Sequence, residues 1–126
     1  MQPPKPTAAE LEILRVLWEH GPSTVRDVCE ILSQSKPTGY TTVLKLLQIM
    51  TAKGMVLRDE KERAHVYSAM EPAENTKRQL VSDLVQRAFA GSASQLMMHA
   101  LSGKKTSAQE IAEIRRMLDA FEGREL

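Results

Sequence analysis

Gly39-Tyr40-Thr41-Thr42-Val43-Leu44-Lys45-Leu46-Leu47-Gln48-Ile49-Met50-Thr51-Ala52-Lys53-Gly54 is the stretch on which the fold turns. Val43, Leu46, Leu47 and Met50 recur at the period of an amphipathic helix, so the spacing predicts a helix from about Tyr40 to Lys53, with Gly54 as its left-handed stop. At about 100° per residue, Thr41, Lys45, Gln48 and Ala52 fall on the opposite face. That face holds one charge and several short polar groups, a composition suited to a surface that enters a groove. It lies inside an acid-free interval: the 28 residues between Glu30 and Asp59 carry Lys36, Lys45, Lys53 and Arg58 and no carboxylate. A polyanion would be met there if anywhere. On charge alone, a chance gap in a near-neutral chain reads equally well.

Upstream, Thr7-Ala8-Ala9-Glu10 has the form of a capping box, in which hydroxyl and carboxylate satisfy the free N–H groups of a helix start. Leu11, Leu14, Leu17 and Trp18 then mark a first helix, closed by His20-Gly21-Pro22. Ser23 is read as the cap of a second helix, with Val25, Val28, Cys29 and Leu32 inward, and Ser33 to Gly39 as a loop. Downstream, Met55–Arg58 and His65–Ser68 are strand candidates around the charged tip Asp59-Glu60-Lys61-Glu62-Arg63-Ala64. Three helices followed by a β-hairpin is the order of a winged helix-turn-helix, which sets a first domain at 1–70.

From residue 71 every segment reads as helix. Leu80, Leu84 and Ala88, flanked by Val81, Val85 and Phe89, form one stripe; after Gly91, Leu96, Met97, Ala100 and Leu101 form a second. A linker, Ser102-Gly103-Lys104-Lys105, leads to the capping-box form Ser107-Ala108-Gln109-Glu110 and a last helix with Ile111, Ile114, Leu118 and Phe121 on one side. So short a tail is marginal as an independent core, so residues 71–126 are expected to pack against a second copy. Leu96, Met97, Ala100, Ile111, Ile114 and Leu118 are the candidate dimerisation residues. The fold class is therefore mainly α with a small β-hairpin: a winged helix-turn-helix followed by a helical dimerisation region.

The chain has 126 residues, 42% hydrophobic and 26% charged, with 17 basic against 16 acidic side chains, an ordinary globular composition. No apolar run is long enough for a membrane span, and MQPPKPTAAE has no apolar core for a secretory signal, so a cytoplasmic protein without membrane insertion is expected. Cys29 stands alone, too few thiols for an internal disulfide or a structural zinc site. His20, His65 and His99 show no ligand spacing, and no nucleophile elbow, P-loop or dinucleotide fingerprint occurs. No metal, cofactor or enzymatic activity is expected.

The segment Gly39 to Gln48, closed by Ala52-Lys53-Gly54, resembles the recognition helix of the penicillinase repressors of the BlaI/MecI type, a group that also includes copper-transport repressors. Ala64-His65-Val66-Tyr67-Ser68 is similar to the family's last wing strand. Leu11 to Val28, with Trp18 and Gly21-Pro22-Ser23-Thr24-Val25-Arg26, is similar to its first two helices, and the likeness continues more weakly from Pro72 to about Leu118. The resemblance implies a homodimeric transcriptional repressor that sets a winged helix on a double-stranded DNA operator of inverted-repeat form.

On that reading Tyr40, Thr41, Thr42, Lys45 and Gln48 face bases or the groove, while Ser23 and Thr24 at the second helix start and Arg58, Lys61 and Arg63 in the wing hold phosphates. Three departures stand out. Ile49 occupies a position where relatives often carry arginine. The cysteine pair of the copper-responsive members is missing, so copper sensing is not expected. The Asn-Phe bond cut in the antibiotic-responsive members is replaced by His99-Ala100, which leaves a regulatory protease as an open partner. A different class of function, a winged helix that docks a protein chain without DNA, also fits the elements; salt dependence separates the two, since phosphate binding weakens steeply with salt.

Overall fold

The structure, a computed structural model, describes residues 3–103 and 105–125; Lys104 of the expected linker lies outside them. The order is α1 Ala8–His20, β1 Ser23–Thr24, α2 Val25–Ser33, α3 Tyr40–Lys53, β2 Val56–Asp59, β3 Val66–Ala69, α4 Ala73–Ala88, α5 Ala93–Ser102 and α6 Ala108–Glu125. The expected third helix is present with the bounds read from sequence, and Gly54 closes it in the left-handed region at φ 80°, ψ 20°. Strands β2 and β3 each sit one residue later than expected. The cause is Met55, whose N–H donates to the Met50 carbonyl and whose own carbonyl accepts from Met70 N–H, so it wraps the end of α3 before the ladder begins.

The hairpin is part of a three-stranded antiparallel sheet of order β1-β3-β2, in which Ser23 pairs with Tyr67 and Arg58 pairs with Tyr67 from the other side. Strand β1 was not expected. It also corrects the cap of α2: Thr24, not Ser23, is the N-cap, its hydroxyl accepting from Asp27 N–H at 3.1 Å while Asp27 Oδ2 accepts from Thr24 N–H at 3.1 Å. The third residue after Thr24 is a carboxylate and the third after Ser23 is Arg26, so only Thr24 can close a reciprocal box.

Ile13, Val28, Val43, Leu47 and Met50 have no exposed surface, and Leu14, Val16, Leu17, Val25, Met55, Val56 and Tyr67 complete the buried core. On α1, Leu14 and Leu17 are buried as expected and are joined by Ile13 and Val16, while Leu11 and Trp18 are half-buried. Cys29 packs against the core, and its Sγ–H donates to the Thr38 carbonyl at 3.0 Å. The chain forms two compact units, Met1–Ser82 and Asp83–Leu126, so the first unit includes the start of α4. There Trp18 Nε1 donates to the Glu71 carbonyl at 3.0 Å, Thr76 is buried and Gln79 donates to the Pro3 carbonyl.

One charged group is drawn into this core. Glu10 is 2% exposed, accepting from Lys53 Nζ at 2.8 Å and from Thr7 N–H at 2.8 Å, while its own N–H donates to the Thr7 hydroxyl. Burial raises the Glu10 pKa, but the hydrogen bonds from Lys53 and the Thr7 backbone, with the Lys53 charge, outweigh it, and the net shift is below the ordinary 4.5. The carboxylate therefore stabilises the folded chain above about pH 4.5, and that contribution is lost as pH falls through the lower folded value. Glu10→Gln is expected to cost about 1 to 3 kcal/mol at neutral pH. In urea unfolding the gap between wild type and variant should narrow as the pH is lowered below about 4.5; a gap independent of pH would refute the ion pair.

Candidate nucleic-acid interface

With Val43, Leu47 and Met50 directed into the core, Tyr40, Thr41, Thr42, Lys45, Gln48, Ile49 and Ala52 are all exposed on α3. All five residues expected in the groove, Tyr40, Thr41, Thr42, Lys45 and Gln48, are thus exposed on α3, the last four on its outer side and Tyr40 at its first turn. The helix starts differ in a way that bears on anions. Thr7 with Glu10 closes α1, and Thr24 with Asp27 closes α2, each supplying a carboxylate. Gly39 gives α3 no side-chain cap and no acid stands in its first turn, so the positive end of the helix dipole is left unneutralised. Of the cations in the acid-free interval, Lys53 is held by Glu10, whereas Lys45 points outward.

The expected phosphate set divides. Ser23 leaves it: the residue is 4% exposed, and its hydroxyl donates to the Gly21 carbonyl at 2.8 Å because β1 carries it into the sheet beside Tyr67. Thr24 stays half-buried at the α2 start, its hydroxyl oxygen accepting from Asp27 and its proton available to an outside acceptor. Next to it Arg26 is exposed in the first turn of α2, a cation the sequence reading passed over; its position off the Val25, Val28, Cys29, Leu32 stripe was the available signal.

At the wing, Arg58, Lys61 and Arg63 are all exposed. The acids that offset them in sequence are partly engaged in the loop itself. Asp59 Oδ1 accepts from Lys61 N–H at 2.9 Å, and Glu60 Oε1 lies 3.7 Å from Arg58 Nε and 3.8 Å from His65 Nε2. Among the described residues no group of three or more His, Cys, Asp or Glu side chains is placed to hold a metal ion.

An exposed helix face over a small antiparallel sheet, preceded by two capped helices, is an arrangement with solved counterparts. The DNA-binding domain of the repressor BlaI superposes with a TM-score of 0.52 at 24% identity, covering 59% of this chain and 90% of that one. The monomeric form of Bacillus licheniformis BlaI in complex with the blaP half-operator gives 0.51 at 24% identity, with the same coverage of both chains. These likenesses establish the winged-helix fold. The sequence profile of the penicillinase repressors matches residues 6–120. The chain belongs to the penicillinase repressor family. The transcriptional regulator BlaI of Mycobacterium tuberculosis (strain ATCC 25618 / H37Rv) is 32% identical over 115 residues, which cover 90% of this chain and 82% of that protein. The penicillinase repressor of Bacillus licheniformis is 22% identical over 121 residues, covering 96% and 94%.

The second compact unit holds the other predicted residues of this family member. Leu96, Ile111 and Ile114 are half-buried, while Met97, Ala100 and Leu118 are exposed. Met98, Met117 and Phe121 are 64%, 57% and 61% exposed, and among the described residues from Asp83 onward no apolar side chain is buried. His99 and Ala100 lie within α5, where the His99 carbonyl accepts from Gly103 N–H at 3.0 Å and the His99 ring sits 5.4 Å from that of Phe89.

Because Lys45 and Gln48 add nothing to the core, Lys45→Ala and Gln48→Ala are expected to change stability by no more than about 0.5 kcal/mol. Leu47→Ala, which empties a fully buried site, should cost about 2 to 5 kcal/mol. Chemical denaturation of the three variants checks this, and a large loss in either surface variant would assign that face a structural role.

Proposed function

We propose that this chain is a transcriptional repressor that binds an inverted-repeat operator in double-stranded DNA as a homodimer and acts in the cytoplasm. The observation that carries the reading is the open, acid-free outer face of α3 in a member of the penicillinase repressor family. A helix of this size fits the major groove, where Thr41, Thr42 and Gln48 can meet base edges and Lys45 a phosphate or guanine. Thr24, Arg58, Lys61 and Arg63, joined by Arg26, would fix register by holding the DNA backbone. No chemistry on the DNA is needed, since occupancy of a promoter excludes polymerase.

The second half of the proposal concerns residues 71–126. Exposed Met97, Leu118 and Phe121, with half-buried Leu96, Ile111 and Ile114, are apolar surface that a second copy would cover, and two linked reading heads gain affinity over one by orders of magnitude. Control follows from that linkage. A regulatory protease acting at His99-Ala100 would uncouple the heads, yet the bond lies inside a helix that must open first, and neither side chain is the family's Asn or Phe. We therefore propose that the dimer persists when cells meet a β-lactam.

Selection of bound duplexes from random DNA, followed by titration at several salt concentrations, tests the DNA reading. Arg63→Ala is expected to weaken all sequences alike and to lower the salt slope by about one unit, whereas Gln48→Ala should lose about 1 to 3 kcal/mol of discrimination at one base pair. Binding that ignores salt would favour a protein-docking module instead. For the dimer, protein recovered from β-lactam-treated cells is expected to sediment intact as a dimer at micromolar concentration. A full-length monomer would refute the interface, and a fragment ending near His99 would show that the bond is cut.

A further inference from the structure

Tyr40 and Ile49 are the exposed large hydrophobic side chains of α3, and of the two only Ile49 has no polar group to offer. Ile49 is 38% exposed and is absent from the residues that form the core or pack against it, which on this helix are Val43, Leu44, Leu46, Leu47 and Met50. An isoleucine is a poorer helix former than the lysine, glutamine or arginine usual at open helix positions, so propensity does not explain it there. Its placement is specific. Four residues after Lys45 and one after Gln48, it stands about 40° around the helix from Lys45, inside the face assigned to the groove. Thr42 and Ala52, both exposed, lie on the same side two turns before it and one turn after it, so methyl groups run beside the polar row of Thr41, Lys45 and Gln48.

In the major groove, the thymine C5-methyl is the one bulky apolar group among hydrogen-bonding base edges. An aliphatic side chain set against a donor or acceptor edge strips that edge of water and returns no hydrogen bond, whereas against a methyl it gains buried apolar surface. On the DNA-reading role proposed above, we propose that Ile49 is a specificity-determining residue that reads the C5-methyl of one thymine in each operator half-site. The chain thereby selects a pyrimidine methyl where a polar or basic side chain at this position would select a hydrogen-bonding pattern.

The test begins with the duplex enriched by the full chain from random DNA and replaces each thymine in turn by deoxyuridine, which removes the methyl and leaves the Watson–Crick and groove hydrogen-bonding groups in place. Wild-type protein should lose about three- to fivefold in affinity at one thymine per half-site, the size expected for one buried methyl group. Ile49→Ala should bind thymine and uracil equally there, and Ile49→Val should keep the preference; both are surface changes, and circular dichroism will show them folded. A flat uracil scan on an enriched duplex overturns the role of Ile49 and leaves the DNA reading standing. Sensitivity that survives Ile49→Ala but is abolished by Thr41→Ser or Thr42→Ser assigns the methyl to a threonine and also overturns it. If no sequence is enriched at all, the DNA reading itself fails and this role with it.

Discussion

The complete burial of Val43, Leu47 and Met50 is the constraint from which the rest follows. A helix can be rotated about its axis only as far as its buried side chains allow, and three fully enclosed positions leave α3 no freedom. Everything on the other side is thereby aimed outward as a set. The ends are fastened separately: Gly54 turns the chain into the sheet, and Lys53 reaches back to Glu10 at the start of α1. The surface of α3 is consequently rigid, and its contacts need little ordering when a partner arrives.

Charge in this protein is organised locally. The net value of +1 conceals a division of labour among the carboxylates. Glu10 and Asp27 cap helices, and Asp59 and Glu60 hold the wing loop, so these acids serve the scaffold. Lys45, Lys61 and Arg63 remain on the outside around α3 and the wing. Such a pattern produces a directed local field without the strongly basic composition that announces many polyanion binders.

Much of the first unit was legible in the sequence because its signals are local. The period of Val43, Leu47 and Met50, bracketed by Gly39 and Gly54, defined α3, and the Thr7 to Glu10 box defined the start of α1. Strand β1 was invisible because two residues carry no alternation; Ser23 and Thr24 become a strand only through Tyr67 and Val66, far along the chain. The burial of Ser23 follows from that pairing, although Asp27, three residues after Thr24, marks Thr24 as the cap from sequence alone. Ile49 was noticed only as a departure from relatives, since exposure is a tertiary property. The apolar stripes after Asp83 were readable as stripes because their period is local, and Leu84, Met97, Leu118 and Phe121 stay exposed in the single chain.

The hydrogen bond from Trp18 to the Glu71 carbonyl joins the chain's one tryptophan to the segment that leads into α4. An indole in that position is an optical probe built into the molecule. Its emission senses whether the entry to α4 is seated on α1, and no second tryptophan dilutes the signal. Melting confined to residues beyond Asp83 would leave the emission colour unchanged while helical ellipticity declined, so two inexpensive spectra resolve the halves of the protein without any label.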